Sequence, residues 1–198
     1  MKNIARLLFE ANMLKEIPRS GYHFLGSGRE SVAEHTFNTT FIAFVMSQLD
    51  ARVDALKLIT MCLVHDLPES RIGDLNTVQK KYVSADQSKA LADTINNLPF
   101  GSSLARIIDE FNEGRSAEAE FACDADQLAL ILELKGLSDI GYQPPNDWLP
   151  HVLKRLKTKL GKKIAPGSIM AYTRGWVEKF GPARRLTTPW GSLPNPNM

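Results

Sequence analysis

Cysteine is scarce in this chain: Cys62 and Cys123 are the only two among 198 residues. Two thiols inside helical patterns cannot build a disulfide framework, so a reducing setting, the cytoplasm, is expected. Histidine is nearly as rare, at positions 23, 35, 65 and 151 only. Long apolar runs are missing: none approaches the ~20 residues that cross a bilayer. Residues 1–15 spread Lys2, Arg6, Glu10 and Lys15 along an amphipathic pattern, so neither a membrane partner nor a signal peptide is expected. Charge of one sign is lacking too. The 24 Lys and Arg against 22 Asp and Glu leave a net +2, without the basic stripe that binding a nucleic-acid polymer requires. What remains is an ordinary globular composition, 43% hydrophobic and 23% charged, long enough for one domain with a sizeable core.

Apolar residues recur at helical spacing along the chain, and no segment reads convincingly as strand. This predicts an all-α fold, a single bundle of about seven or eight helices over residues 1–180, with an irregular tail over 181–198. A first helix spans 2–15 and is stopped by Pro18; residues 18–30, with Gly21, Gly26 and Gly28, read as loop. Ser31 and Glu34 form a capping box opening a helix to Leu49, and Asp54 caps a third helix ending near His65. Leu75–Val83 is ambiguous. Ser84 with Gln87 reads as a second capping box for a helix to Leu98, and another helix ends at Gly114. The longest helical pattern runs from Ser116 to Leu137, followed by a loop at 141–147 and helices over 148–160 and 168–180. The stripe Phe37, Phe41 and Phe44 reads as core packing.

The chemistry concentrates at residues 63–74. An apolar helix (Leu58, Ile59, Met61, Cys62, Leu63, Val64) runs into His65 and Asp66, with Glu69 three residues on and Asp74 just after Gly73. Burying such groups is costly unless they are paired or bind a metal. On its own, a His-Asp pair is as readily a hydrogen-bonded core pair as a pair of ligands.

At this point the sequence resembles the HD-domain phosphohydrolases, and within them the subgroup of bacterial 5'-deoxynucleotidases and the HD-domain-containing protein 2 group. Three stretches carry the likeness: Leu14-Lys15-Glu16-Ile17-Pro18-Arg19, Ser31-Val32-Ala33-Glu34-His35, and the ungapped run from His65 to Leu75. The resemblance implies one divalent metal held by His35, His65, Asp66 and Asp126, with catalytic roles for Glu69 and Asp74. It implies a phosphate contact for Arg19, and Tyr22 falls where relatives carry a tryptophan that stacks on the base. Gly28 stands where relatives have an arginine, so Arg29 is not expected to bind substrate. Relatives form homodimers, so a dimer is expected.

The last ligand has a rival. Asp124 and Asp126 lie two residues apart and point ~200° from each other on a helix, so only one can face the site. Asp126 shares its face with Ala122 and Ala129, small neighbours that leave room for a metal, and the family's Asp-x-Leu pattern also aligns with it. Asp124 then reads as a capping or solvated carboxylate. Mixed nitrogen and oxygen ligands suit Mn²⁺, Co²⁺, Fe²⁺, Ni²⁺ or Zn²⁺ better than Mg²⁺ or Ca²⁺.

The function implied is release of phosphate from a nucleotide substrate, a (deoxy)nucleoside 5'-monophosphate first, by a metal-activated water. Glu69 would protonate the leaving oxygen or hold the water, and Asp74 would act as base, without the sequence deciding between them. Di- and triphosphates are an alternative. A two-metal phosphodiesterase would want more histidines than His23 and His151 supply, and both of these read as ordinary polar side chains. A non-catalytic nucleotide-binding module would need neither Glu69 nor Asp74. Arg71, Lys80 and Lys81 read as a solvated face.

Overall fold

A computed structural model describes residues 1–171. Ten α-helices follow in order: α1 (Lys2–Met13), α2 (Tyr22–Leu25), α3 (Val32–Leu49), α4 (Ala55–Val64), α5 (Glu69–Ile72), α6 (Gln87–Ile95), α7 (Gly101–Glu113), α8 (Ala117–Asp139), α9 (Pro145–Leu153) and α10 (Lys159–Ala171). A 3-10 turn at Gln79–Lys81 fills the ambiguous stretch. Two of the ten, α2 and α5, are single turns, which leaves eight longer helices. Among the described residues the one β pairing is an isolated bridge between Pro18 and Ser31. None of the described helices is long and apolar enough to cross a membrane. The fold is all-α, as expected.

Most of the local signals act where they were read. Ser31 accepts the Glu34 amide at 3.2 Å while Glu34 accepts the Ser31 amide at 2.7 Å, so both halves of the capping box are made. Asp54 accepts from the Lys57 amide and Ser116 from the Ala119 amide. Gly114 ends α7 in the left-handed region, φ 64°.

Helix α8 runs through the centre and packs against α3, α4, α7, α9 and α10. Ala119, Ala122, Ala125 and Ala129 let neighbouring helices approach it closely, while Phe121, Leu128, Ile131 and Leu134 fill the space between them. Met46 of α3 and Leu58 and Met61 of α4 complete this core.

Four expectations are corrected. Asp86, not Ser84, caps α6: its carboxylate accepts the Lys89 amide at 2.8 Å, and the helix stops at Ile95 because Asn97 takes φ 58°. Helix α9 starts at Pro145, a favourable first position for proline, and stops at Leu153. Helix α10 then begins at Lys159, not Ser168, because Asp124 grips the preceding turn. Its Oδ1 accepts the Lys157 amide at 2.7 Å, and its Oδ2 accepts the Thr158 amide at 2.8 Å and the Thr158 hydroxyl at 2.6 Å. Thr158 Oγ1 in turn accepts the Gly161 amide at 2.9 Å. A methyl group at Gly161 would overlap the Asp124 carboxylate, so Gly161→Ala is expected to cost about 1–3 kcal/mol in a denaturant melt.

The fourth correction concerns Phe37, Phe41 and Phe44, which are 69%, 57% and 45% exposed. Helix α3 buries its other side, through Val32, His35, Thr39, Ala43 and Met46. The three rings pair along its outer surface at 6.4 and 6.2 Å. The expected tail at 181–198 and the end of the last expected helix at Phe180 lie outside the described residues.

Candidate active site

Three helices converge on one buried point. His35 comes from the first turn of α3, His65 and Asp66 from the C-terminal end of α4, and Asp126 from the middle of α8. His35 Nε2 lies 2.7 Å from Asp126 Oδ1, and His65 Nε2 lies 3.2 Å from Asp66 Oδ2. One ligand atom each of His35, His65 and Asp126 falls within 4.8 Å of the others. Asp66 sits at the edge of this group, with Oδ2 also 3.7 Å from the Arg19 guanidinium. His65 Nδ1 donates to the Cys62 carbonyl at 2.8 Å, which leaves its Nε2 toward the centre. The Phe111 ring packs on His65 at 4.8 Å.

The electrostatics indicate what this point accepts. Burial pushes His65 down, but the Asp66 carboxylate outweighs it and lifts the imidazole to about 9. Burial pushes Asp126 up, yet its hydrogen bond to His35 holds it well below the usual carboxylate range. Both shifts mean that the site favours a positive charge among these acids. A divalent cation meets that demand, and two imidazoles with two carboxylates are a fitting donor set for one.

Beside this point opens a cavity of about 550 Å³, within the range of small-molecule sites. Its polar end holds Arg19, His65, Asp66, Glu69, Asp74 and Asp126; its apolar wall holds Leu130, Leu134, Trp148 and Val152. Glu69 opens α5 and aims into the cavity; its Oε2 is closed off from solvent and makes no hydrogen bond. Burial, then the Asp66 and Asp74 carboxylates, push its pKa well above the carboxylate range. Gly73, at φ 74°, turns the chain from α5 back toward the cavity. Asp74 Oδ2 accepts the Ser20 amide at 2.7 Å, so one of its oxygens clamps the loop that carries Arg19.

All eight residues singled out in the sequence are therefore brought to one region, though not all in the expected posture. Tyr22 lies in the short helix α2, within the expected loop, and lines the cavity. Its hydroxyl, however, donates to Glu30 Oε2 at 3.1 Å. It is buried, its ring pressed against Gly28, which leaves little face for a base. Lys80, expected on a solvated face, and His151, read as an ordinary polar side chain, line the cavity, as do Trp148 and Arg155. The sequence held a signal for three of these: positions 148, 151 and 155 recur at helical spacing.

A family model described as "HD domain" matches residues 11–166. Human 5'-deoxynucleotidase HDDC2 is 26% identical over 149 residues, 72% of this chain and 72% of that protein. The protein of the same name from Dictyostelium discoideum is 26% identical over 147 residues, 67% of this chain and 76% of that one. Among solved structures, a conserved hypothetical protein from Pyrococcus furiosus superposes with TM-score 0.72 at 25% identity, covering 82% of this chain and 96% of that one. A predicted metal-dependent phosphohydrolase from Magnetospirillum magnetotacticum shares the fold, with TM-score 0.67 at 23% identity over 85% of this chain and 90% of that one.

Proposed function

The chain belongs to the HD domain family and is a hydrolase, and on that premise we propose that it removes phosphate from (deoxy)nucleoside 5'-monophosphates with one divalent metal bound. The observation that carries this reading is the juxtaposition of the His35–His65–Asp126 cluster with the unpartnered carboxyl of Glu69 at the end of a nucleotide-sized cavity. The names of the curated relatives supply the substrate class.

In this reading His35, His65, Asp66 and Asp126 hold the metal, which is one of Mn²⁺, Co²⁺, Fe²⁺, Ni²⁺ or Zn²⁺. When bound, it would lower the pKa of a water and neutralise phosphate charge. Arg19, already beside Asp66, grips the phosphate through its planar guanidinium. Glu69, buried without a partner, keeps its proton and hands it to the departing 5'-oxygen. Asp74 anchors the Arg19 loop with one oxygen and orients the attacking water with the other. Trp148, half-buried on the apolar wall, offers the base a larger ring face than Tyr22 does. Arg19→Lys loses the bidentate geometry and is expected to raise KM about 10- to 100-fold with a smaller change in kcat, read in steady-state phosphate release.

Lys80, His151 and Arg155 at the cavity wall favour a second reading, in which they receive the inner phosphates of a di- or triphosphate. The chain is proposed to act in the cytoplasm as a homodimer, supported by the uncovered Phe37, Phe41 and Phe44 stripe of α3. The test is a phosphate-release screen of mono-, di- and triphosphates with varied base and sugar. Protein stripped by a chelator should release nothing, and added Mn²⁺ or Co²⁺ should restore turnover of monophosphates. No phosphate from any nucleotide under any of the five metals would sink the enzyme reading.

A further inference from the structure

Both imidazoles of the cluster turn Nε2 toward the centre, and each needs something to hold its other nitrogen. For His65 the Cys62 carbonyl does so at 2.8 Å. For His35 nothing does within hydrogen-bond distance: its Nδ1 is buried and has no partner. The group facing that nitrogen is Glu30, whose Oε2 lies 3.9 Å away.

Glu30 is itself unusual. It is a buried carboxylate, and among the described residues no lysine or arginine forms an ion pair with it. Two neutral donors hold it in place, the Tyr22 hydroxyl on Oε2 at 3.1 Å and the Asn38 amide on Oε1 at 3.5 Å. Glu133 lies close enough for Glu30 to help raise its pKa, behind the larger effect of burial. A buried negative charge without a cation costs several kcal/mol. The positive partner that the geometry offers is the imidazole, acting for whatever charge sits on its far side.

We infer that Glu30 is the positioning residue of His35. Its carboxylate accepts a hydrogen bond from Nδ1–H, which fixes the tautomer that leaves the Nε2 lone pair free and strengthens Nε2 as a donor to the metal. Closing the contact from 3.9 Å to an ordinary hydrogen bond takes a shift of about 1 Å. Tyr22 then serves the centre through Glu30: its hydroxyl aims the carboxylate while its ring lines the cavity. This rests on the metal-bound reading above. It adds two residues to that centre, neither of them a ligand.

The test measures metal affinity rather than turnover. Mn²⁺ and Zn²⁺ are titrated into stripped full-length protein against a competing chelator at fixed pH. Glu30→Ala should weaken binding about 10- to 100-fold, with Glu30→Gln in between because it keeps the shape and an acceptor but loses the charge. Tyr22→Phe should weaken it a few-fold. Glu34→Gln removes an equal charge one residue from His35 without facing Nδ1, and should leave affinity within twofold. If Glu30→Ala folds with an unchanged melt and binds metal as the wild type does, the inference is wrong. It is equally wrong if Glu34→Gln weakens binding as much as Glu30→Gln. Should the Glu30 variants not fold, nuclear magnetic resonance spectra of the nitrogen-15-labelled, Zn²⁺-loaded wild type decide: a His35 Nδ1–H proton shifted downfield and protected from exchange by a hydrogen bond to a carboxylate supports the inference, and one at the position of an unbonded ring N–H overturns it. A wild type that binds no divalent cation would overturn the functional reading itself, whereas unchanged affinity in Glu30→Ala overturns this inference alone.

Discussion

Glu69→Gln is expected to lower kcat for phosphate release by about 10²- to 10⁴-fold, the range for loss of a general acid, while metal content per chain stays at the wild-type value. The separation of these two readouts follows from position. Glu69 opens α5, outside the group of atoms that converge within 4.8 Å. Its Oε2 is buried and spent on no hydrogen bond, so no structural bond is lost when it becomes an amide of the same shape. Glutamine cannot hand over a proton, and departure of an alkoxide from phosphorus then has no local acid. KM should move little, because Arg19 and the ligands that receive the phosphate are untouched. A phosphate monoester with a more acidic leaving alcohol should be affected less. The measurement is single-turnover phosphate release beside metal analysis of the same preparation. Loss of metal together with turnover would make Glu69 a ligand, and retention of kcat would remove it from the chemistry.

Most signals confined to one turn of chain were legible in the sequence, because the physics that sets them is confined there too; the exception is α6, where Asp86 and not Ser84 accepts the amide three residues on. Ser31 with Glu34 and Asp54 with Lys57 bond across three residues, and both helices begin where their caps were read; Ser116, read only as the start of the longest helix, caps it through the Ala119 amide. The position of α10 was not legible. The carboxylate that opens it belongs to Asp124, 34 residues before Thr158, and no local window contains both. Periodicity likewise identified Phe37, Phe41 and Phe44 as one apolar face without saying whether anything covers it. In the candidate site, the spacing from His65 to Asp74 put four residues at the cavity, yet it could not assign their hydrogen bonds. The tie of Asp74 to Ser20 and that of Tyr22 to Glu30 exist only once the loop at 18–30 folds back over α5 and the start of α3. Glu30 carried no separate signal, since it reads as the residue before a capping box.

The two aspartates of α8 supply the other large effect, and in opposite currencies. Asp126→Ala should abolish stoichiometric metal binding and lower turnover by at least about 10³-fold, because one of two charged ligands is removed from a cation that polarises the phosphate. Its effect on the metal-free melt should be modest: Asp126 bonds to His35 and Gln127 side chains, not to backbone. Asp124→Ala should do the reverse. It strands the Lys157 and Thr158 amides and the Thr158 hydroxyl, all held by one buried carboxylate at 2.6 to 2.8 Å. Losing a charged acceptor shared by three donors costs about 3–5 kcal/mol, or roughly 6–20 °C in melting midpoint for a chain of this size. Metal affinity measured well below that midpoint should remain within a few-fold of the wild type, since Asp124 points at the start of α10 and Asp126 at His35. Thermal melts and metal titrations on the same two variants therefore sort fold from site within a single turn of helix. If Asp124→Ala lost the metal, or Asp126→Ala the fold, the ~200° between them would have been assigned the wrong way round.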